Sequence, residues 1–178
     1  DEIKLKEELA KKNYETEIAL IKSQINPHFL FNTINNIDVL ISKESHKASD
    51  YLNKLSDILR YMVYDTKSEK ISLKTELDYI EKYLELQKIR TANPNYVNLT
   101  IEGETKNLQI APMLFFPFIE NAFKHTENDK KSNSIYVNFT LDENSVKFEC
   151  KNTYQKLIQQ KQEYGGLGNE LIRKRLNI

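Results

Sequence analysis

His28, which directly follows Pro27, is a candidate nucleophile in this sequence. Neutral imidazole reacts well near neutral pH because its pKa lies close to that value. Apolar residues at helical spacing change face beyond Pro27, which leaves His28, Asn32 and Asn35 as a polar strip opposite the predicted buried face. A surface or capping histidine is the commoner interpretation of such a residue, and the spacing alone does not exclude it.

A second cluster of polar side chains falls on one face of a predicted helix. Its members are Glu120, Asn121, Lys124 and His125, at spacings that place them within roughly 140° of arc. Carboxylate and carboxamide oxygens are hard ligands for Mg²⁺, and the lysine and histidine side chains can meet phosphate oxygens. The cluster is therefore typical of a magnesium–phosphate site, although an exposed face with an ordinary Glu–Lys pair has the same spacing.

The overall composition argues against several classes of protein. The 178 residues carry 26 basic and 26 acidic side chains, and this neutral balance disfavours a non-specific binder of nucleic acid or of membrane surfaces. The single cysteine, Cys150, cannot form an internal disulfide, which fits a reducing compartment. The longest apolar run, 111–119, is too short to span a bilayer. We therefore expect a soluble, intracellular fragment of a longer protein.

The first half of the chain is predicted to be helical, because Pro27 is its one interruption by proline or glycine. Residues 1–25 carry apolar side chains at the spacing of a helix that packs on a partner. Two further helices are expected, at 48–63 and from Ser72, which is a suitable N-cap. Between residues 1–25 and these two helices, a row of apolar residues at helical spacing after Pro27 predicts one buried helix face. This stripe comprises Leu30, Ile34, Ile37 and Ile41.

The second half of the chain changes to a mixed pattern. Residues 96–101 alternate like a half-buried strand that ends at Gly103, and a helix is expected at 112–125. Residues 134–141 and 145–150 alternate on either side of a polar turn, which predicts a β-hairpin. A last helix is expected at 169–178. The predicted fold class is therefore α+β, with an all-helical module followed by an α+β module.

Two segments of the sequence resemble the boxes of one protein family. Residues 26–32 read Asn-Pro-His-Phe-Leu-Phe-Asn, and residues 117–125 read Pro-Phe-Ile-Glu-Asn-Ala-Phe-Lys-His. Together and in this order they resemble the bacterial LytS-like sensor histidine kinases, which have an atypical phosphoacceptor box. The stretches 55–61 and 73–90 are similar to the second and third helices of that family. The resemblance covers nearly the whole chain from residue 20 onward.

The resemblance implies a function for each matching residue. His28 matches the phosphoacceptor histidine, which takes the γ-phosphoryl group of ATP and later passes it to an aspartate of a response regulator. Asn121 matches the Mg²⁺-binding asparagine, and Glu120 matches the acidic residue that precedes it, to which we assign a catalytic function. Lys124 and His125 are expected to contact phosphates and to stabilise charge during the transfer.

The predicted nucleotide site departs from the family pattern in its glycine-containing segments. The family carries an Asp-x-Gly-x-Gly segment whose aspartate contacts adenine, whereas residues 149–153 of this chain read Glu-Cys-Lys-Asn-Thr. Asn152 is therefore expected either to accept one hydrogen bond from adenine or simply to end a strand. The later glycine box remains in altered form, and its Gly166 and Gly168 would let the backbone approach phosphates closely.

The implied architecture has three parts. A signalling helix or coiled-coil extension at 1–25 precedes the helices for dimerisation and histidine phosphotransfer at 26–92, and an ATP-binding domain occupies 93–178. The last part is expected to be an α/β-sandwich of the GHKL (Bergerat) type that is C-terminally truncated, because the family adds two more strands. The implied cofactors are ATP and Mg²⁺. The implied partners are a second copy of the chain, in a homodimer, and a response regulator of the LytTR type.

The resemblance also implies a cytoplasmic location, with the parent protein anchored in the bacterial inner membrane through a region before residue 1. No direct contact with nucleic acid is expected. One alternative is a degenerate kinase that acts as a dimeric interaction scaffold, since the Asp-x-Gly-x-Gly segment is missing. Another is an ATPase of the same fold without histidine transfer, against which the box around His28 argues.

Overall fold

The computed structural model describes Lys4, Lys6 and residues 27–91, 93–126 and 133–153. Apart from the two lysines, the predicted extension at 1–25 lies outside the described residues. The predicted last helix lies outside them too, as do Gly166 and Gly168. Within the described ranges, no helix has both the length and the apolar character needed to cross a membrane.

Four α-helices make up most of the described residues. They are α1 (Pro27–Lys43), α2 (Ser45–Tyr64), α3 (Leu73–Arg90) and α4 (Phe116–His125), and a short 3₁₀ turn at Asp65–Lys67 follows α2. The helix α1 begins with a proline, which is well tolerated there because the first turn has no use for its missing N–H. The Oγ atom of Ser72 accepts the N–H of Thr75 at 3.1 Å, so the predicted N-cap of α3 is confirmed.

The helix α4 begins later than the sequence pattern predicts. Its first residue is Phe116, whereas the pattern placed the start at Pro112. Met113 has a φ of 59°, in the left-handed region, and an α-helix cannot continue through such a residue. The backbone therefore turns at Met113 before α4 starts.

The predicted buried face of α1 is confirmed for Ile37, which is buried, and for Leu30, which packs partly buried against the core, but it is wrong for Ile34 and Ile41. Ile34 and Ile41 are 46% and 58% exposed, and the other buried positions of the helix are Phe29 and Thr33. The reason lies in a tertiary contact, since the ring of Phe29 packs on that of Tyr83 in α3, with 4.7 Å between the ring centroids. The helix α1 has apolar residues on two sides, and this contact selects the side that turns inward.

The strands form two separate sheets. A three-stranded sheet has the order β2 (Val97–Glu102), β4 (Ile135–Leu141), β5 (Val146–Asn152). The strand β2 runs parallel to β4, and β4 pairs with β5 as the predicted antiparallel hairpin. The short strands β1 (Ile71–Ser72) and β3 (Gln109–Ile110) form an antiparallel pair. The α+β class, the strand that ends before Gly103 and the hairpin are therefore confirmed.

One side of the three-stranded sheet packs against α4 and forms the second half of the core. The inward side chains of β4 alternate with outward ones, as a half-buried strand requires. Phe115, just before α4, packs edge-on against Phe139 of β4 and lies 4.8 Å from the ring of Phe148 in β5, measured between centroids. These contacts fix the start of α4 against the sheet.

The predicted boundary between modules, at residue 93, is crossed by several contacts. The strand β1 pairs with β3, so that Ile71 lies opposite Ile110, and the N–H of Leu73 donates to the carbonyl of Leu108 at 2.8 Å. The helix α3 packs on α1 and α2 as well as on β2. It is therefore shared between the helical part and the part that contains the sheets.

Candidate functional site

A cleft of about 670 Å³ opens where the start of α1 faces α3 and α4. This volume lies within the range of small-molecule sites, which is roughly 300–1,000 Å³. Ten residues line the cleft, nine of them in these three helices and one, Thr126, directly after α4. They are His28, Phe29, Tyr83, Gln87, Pro117, Glu120, Asn121, Phe123, Lys124 and Thr126.

The cleft brings together residues that are far apart in the sequence. His28 from α1 lines it together with Glu120, Asn121 and Lys124 from α4. These are four of the predicted site residues, and they come from both halves of the chain. The fold therefore brings a candidate nucleophile into one cleft with a carboxylate, a carboxamide and an ammonium group.

Two other predicted site residues within the described ranges, His125 and Asn152, are not part of the cleft lining. His125, the last residue of α4, is exposed and does not line it. Asn152 lies at the end of β5, where its Nδ2 atom donates to the carbonyl of Thr153 at 3.3 Å. It does not line the cleft either.

A cluster of aromatic rings determines how α1 sits beside α4. Phe29, the residue after His28, contacts Tyr83 of α3, and Tyr83 in turn meets Phe116 and Phe123 of α4 edge-on, at 5.3 Å and 6.1 Å between centroids. Edge-to-face pairs of this kind are favourable beyond the area that they bury. Because Phe29 is buried in this cluster, the neighbouring His28 is held at the rim of the cleft.

The side chain of Asn32 lies next to the imidazole of His28. Its Nδ2 atom is 3.1 Å from Nε2 and 3.2 Å from Nδ1 of the ring, one helical turn away. A neutral imidazole has one acceptor nitrogen, so the amide can donate to that nitrogen alone, and the tautomer decides which one it is. The polar strip predicted from the spacing thus contains a contact that orients the ring.

Two cleft residues from α3 were not predicted as site residues. Gln87 is 7% exposed, and its Nε2 atom donates to the hydroxyl of Tyr83 at 2.8 Å. A tyrosine and a glutamine four residues apart share one helix face, and this spacing is the signal that could have identified the pair. Both side chains line the cleft, whose other lining residues come from α1, from α4 and from Thr126 directly after α4.

The oxygen donors of the cleft suit Mg²⁺. Among the described residues there is no group of three or more His, Cys, Asp or Glu side chains that could hold a metal by themselves. Mg²⁺ needs no such cage, because it is usually bound through one or two protein oxygens together with water and substrate phosphates. The carboxylate of Glu120 and the carboxamide of Asn121 supply oxygens of that kind at the wall of the cleft.

A buried carboxylate lies next to the turn that precedes α4. Glu76 is fully buried in α3, and its Oε2 atom accepts the hydroxyl of Tyr61 and, at 3.1 Å, the N–H of Met113. Burial raises the pKa of the Glu76 carboxyl, and its hydrogen bonds oppose the rise in part. Burial and the nearby Glu76 charge also raise the pKa of Tyr61. Residue types and spacing give no signal for this contact, since it joins residues 37 positions apart.

Comparison with known proteins identifies the class. Residues 16–94 match the family model described as Histidine kinase. The chain belongs to the histidine kinase family, and within that family to the LytS-like members, as its similarity to individual relatives shows.

The relatives come from different bacteria. The sensor histidine kinase/phosphatase LytS of Staphylococcus aureus (strain MRSA252) is 35% identical over 124 residues, which are 69% of this chain and 21% of that protein. The sensor histidine kinase BtsS of Escherichia coli (strain K12) is 31% identical over 163 residues, which are 91% of this chain and 29% of that protein. The chain thus spans less than a third of the length of these relatives.

Proposed function

We propose that this chain is the core of a two-component sensor histidine kinase, which uses ATP and Mg²⁺ to phosphorylate its own His28. The phosphoryl group then passes to an aspartate of a response regulator, for which the LytTR type is the proposed partner. The observation that carries the proposal is the single cleft lined by His28 together with Glu120, Asn121 and Lys124.

We assign each of these cleft residues a separate function in the proposed reaction. A ring nitrogen of His28 forms a bond to the γ-phosphorus while the bond from that phosphorus to the bridging oxygen breaks, and ADP leaves. The ring then gives up its other N–H proton, for which the carboxylate of Glu120 is the proposed acceptor. Lys124 stabilises the charge on the transferring group. Mg²⁺ held by Asn121 would neutralise phosphate charge.

The remaining nucleotide contacts rest on the resemblance. We propose that His125 meets a phosphate, that Asn152 meets adenine, and that Gly166 and Gly168 approach the phosphates through their backbone. The proposed ATP-binding domain is an α/β-sandwich of the GHKL type. Its support in the structure is the three-stranded sheet with α4 packed on one face.

The helical part is proposed to dimerise. The helix α1 exposes Phe31, Ile34 and Ile41 on one side, and apolar side chains in such a row are buried when two copies form a four-helix bundle. The extension at 1–25 would connect this bundle to a sensor region. We propose a cytoplasmic position for the chain within a membrane-anchored parent protein.

Incubation with labelled ATP and Mg²⁺ tests the phosphoacceptor. We expect acid-labile label on the protein and its loss in His28→Gln. The matched control is His46→Gln, since His46 is an exposed histidine of α2 that lies 3.6 Å from Asp50 and does not line the cleft. Label that persists in His28→Gln would refute the assignment.

Calorimetric titration tests the metal and nucleotide assignments. We expect ATP to bind in the presence of Mg²⁺ and Asn121→Ala to weaken this binding, whereas Asn107→Ala, in an exposed turn, leaves it unchanged. Unaltered binding in Asn121→Ala would contradict the Mg²⁺ assignment. Absence of any nucleotide binding in the unsubstituted protein would favour the scaffold function, for which the missing Asp-x-Gly-x-Gly segment is the motivating observation.

A further inference from the structure

Three residues from different parts of the fold meet in a buried hydrogen-bond network next to the turn that precedes α4. Tyr61 comes from α2, Glu76 from α3 and Met113 from the turn before α4. The N–H of Met113 lies 3.0 Å from the hydroxyl oxygen of Tyr61 and 3.1 Å from Oε2 of Glu76. We call these three residues the junction network.

The junction network contains two energetically unfavourable features, a buried carboxylate and a strained backbone, and a fixed geometry offsets their cost. A fully buried carboxylate is costly unless it is hydrogen-bonded, and Oε1 of Glu76 has no hydrogen-bond partner among the described residues. Met113 holds a left-handed backbone conformation, which is strained for a residue other than glycine. Both features persist because the donors around Glu76 and the packing around them determine one arrangement.

The junction network connects the two parts of the fold that form the walls of the cleft, the helix pair α1–α2 and α4. Its member on α2 belongs to the helix pair α1–α2, and α1 carries His28. Its other members hold the turn that leads into α4, and α4 carries Glu120 and Asn121. None of Tyr61, Glu76 and Met113 lines the cleft, so the network acts without touching a bound nucleotide.

We propose that the junction network sets the position of α4 relative to His28, and that Tyr61 and Glu76 are positioning residues for phosphoryl transfer. This inference rests on the proposed function. Transfer requires the nucleophile and the phosphorus to be aligned closely, and a displacement of about 1 Å can slow such a step by about a hundredfold. A network that joins α2 to the start of α4 controls that alignment.

Tyr61→Phe is the sharpest test, because it removes the hydroxyl and keeps the ring. The ring stacks on Tyr79 at 3.9 Å between centroids and packs near Phe116, so its packing survives the change. We expect the rate of His28 phosphorylation at saturating ATP to fall about tenfold or more. The dissociation constant of a non-hydrolysable ATP analogue with Mg²⁺ should stay within about twofold, since no cleft residue changes.

Tyr79→Phe is the matched control. It removes the hydroxyl of a neighbouring ring, which donates to Oδ2 of Asp65 at 3.4 Å, and Tyr79 is not a member of the junction network. We expect its rate and its affinity to remain those of the unsubstituted protein. An unchanged rate in Tyr61→Phe would overturn the proposal, and so would an equal fall of rate and affinity in Tyr61→Phe and Tyr79→Phe.

Amide hydrogen exchange separates this inference from the proposed function. Exchange at Met113 and in the first turn of α4 should become faster in Tyr61→Phe and in Glu76→Gln, and it should not change in Tyr79→Phe. If the unsubstituted protein takes no phosphate from ATP, the proposed function fails, and the exchange rates still decide whether the network holds α4. Unchanged exchange in both network variants would overturn the inference.

Discussion

At the scale of the residue, opposing effects act on the charge of Glu76. Burial favours the neutral acid, and the hydrogen bonds from Tyr61 and Met113 favour the carboxylate, with burial the larger effect. The folded chain therefore keeps its proton on Glu76 to a higher pH than the unfolded chain, in which the ordinary pKa is 4.5. By linkage, the free energy of unfolding falls as the pH rises from 4.5 through the folded-state pKa.

The variant Glu76→Gln should lose this pH dependence, because an amide does not titrate. Its free energy of unfolding should rise relative to the unsubstituted protein as the pH increases above 4.5, by at most about 1.4 kcal/mol per pH unit, and then level off. Urea unfolding between about pH 4.5 and 8 measures the difference. Glu81→Gln, on the exposed side of α3, should leave the profile unchanged. Identical profiles for all three proteins would contradict the prediction.

The sequence predicted the residues of the cleft better than the contacts that position them. His28, Glu120, Asn121 and Lys124 have chemically distinctive side chains at helical spacing, and the fold brings them to one cleft. Glu76 gave no comparable signal. Its function follows from donors on α2 and before α4, and such long-range contacts are not visible in local spacing.

At the scale of the element, the end of β2 depends on the backbone of Gly103. This glycine has a φ of 95°, a backbone angle that residues with a Cβ atom rarely adopt. A Cβ atom added there would lie 2.2 Å from the carbonyl oxygen of Leu141 at the end of β4.

The predicted strand end was confirmed because glycine is a strong signal in a sequence. The buried face of α1 was predicted only in part, because the stripe through Ile34 and the one through Phe29 both have helical spacing and share Ile37.

Gly103→Ala should therefore destabilise the fold by about 2–4 kcal/mol, from backbone strain together with the clash. The new methyl group meets main-chain atoms, which cannot move aside as a flexible side chain would. Thermal unfolding measures the loss. Glu104→Ala, one residue on and exposed, should change the stability by less than about 0.5 kcal/mol. Equal stability of the two variants would show that the strand end adjusts without cost.

At the scale of the whole molecule, the exposed apolar row on α1 is a surface that a single chain leaves unburied. Phe31 is 66% exposed and Ile41 is 58% exposed. A row of this kind on one helix is stable in water chiefly when another surface covers it. Our proposal is that a second copy of the chain does so.

The double variant Ile34→Glu, Ile41→Glu should convert the proposed dimer to a monomer, because two buried carboxylates in an apolar interface lose their hydration. Light scattering at micromolar concentration measures the mass. Asn107→Glu with Asn144→Glu adds the same charge in exposed turns and should leave the dimer intact. A monomeric mass for the unsubstituted protein would contradict the proposal.

The pairing of β1 with β3 has a consequence for how the protein responds to a cut in its chain. Because Ile71 lies opposite Ile110, the chain segment between these two residues starts and ends at the same place in the fold. A protease that cleaves beside Asn93 would break the covalent connection but would not separate the pieces. The short ladder, the packing of α3 on β2 and the hydrogen bonds from the N–H of Met113 to Tyr61 and Glu76 all bridge the break. The nicked protein should therefore remain one particle until it unfolds.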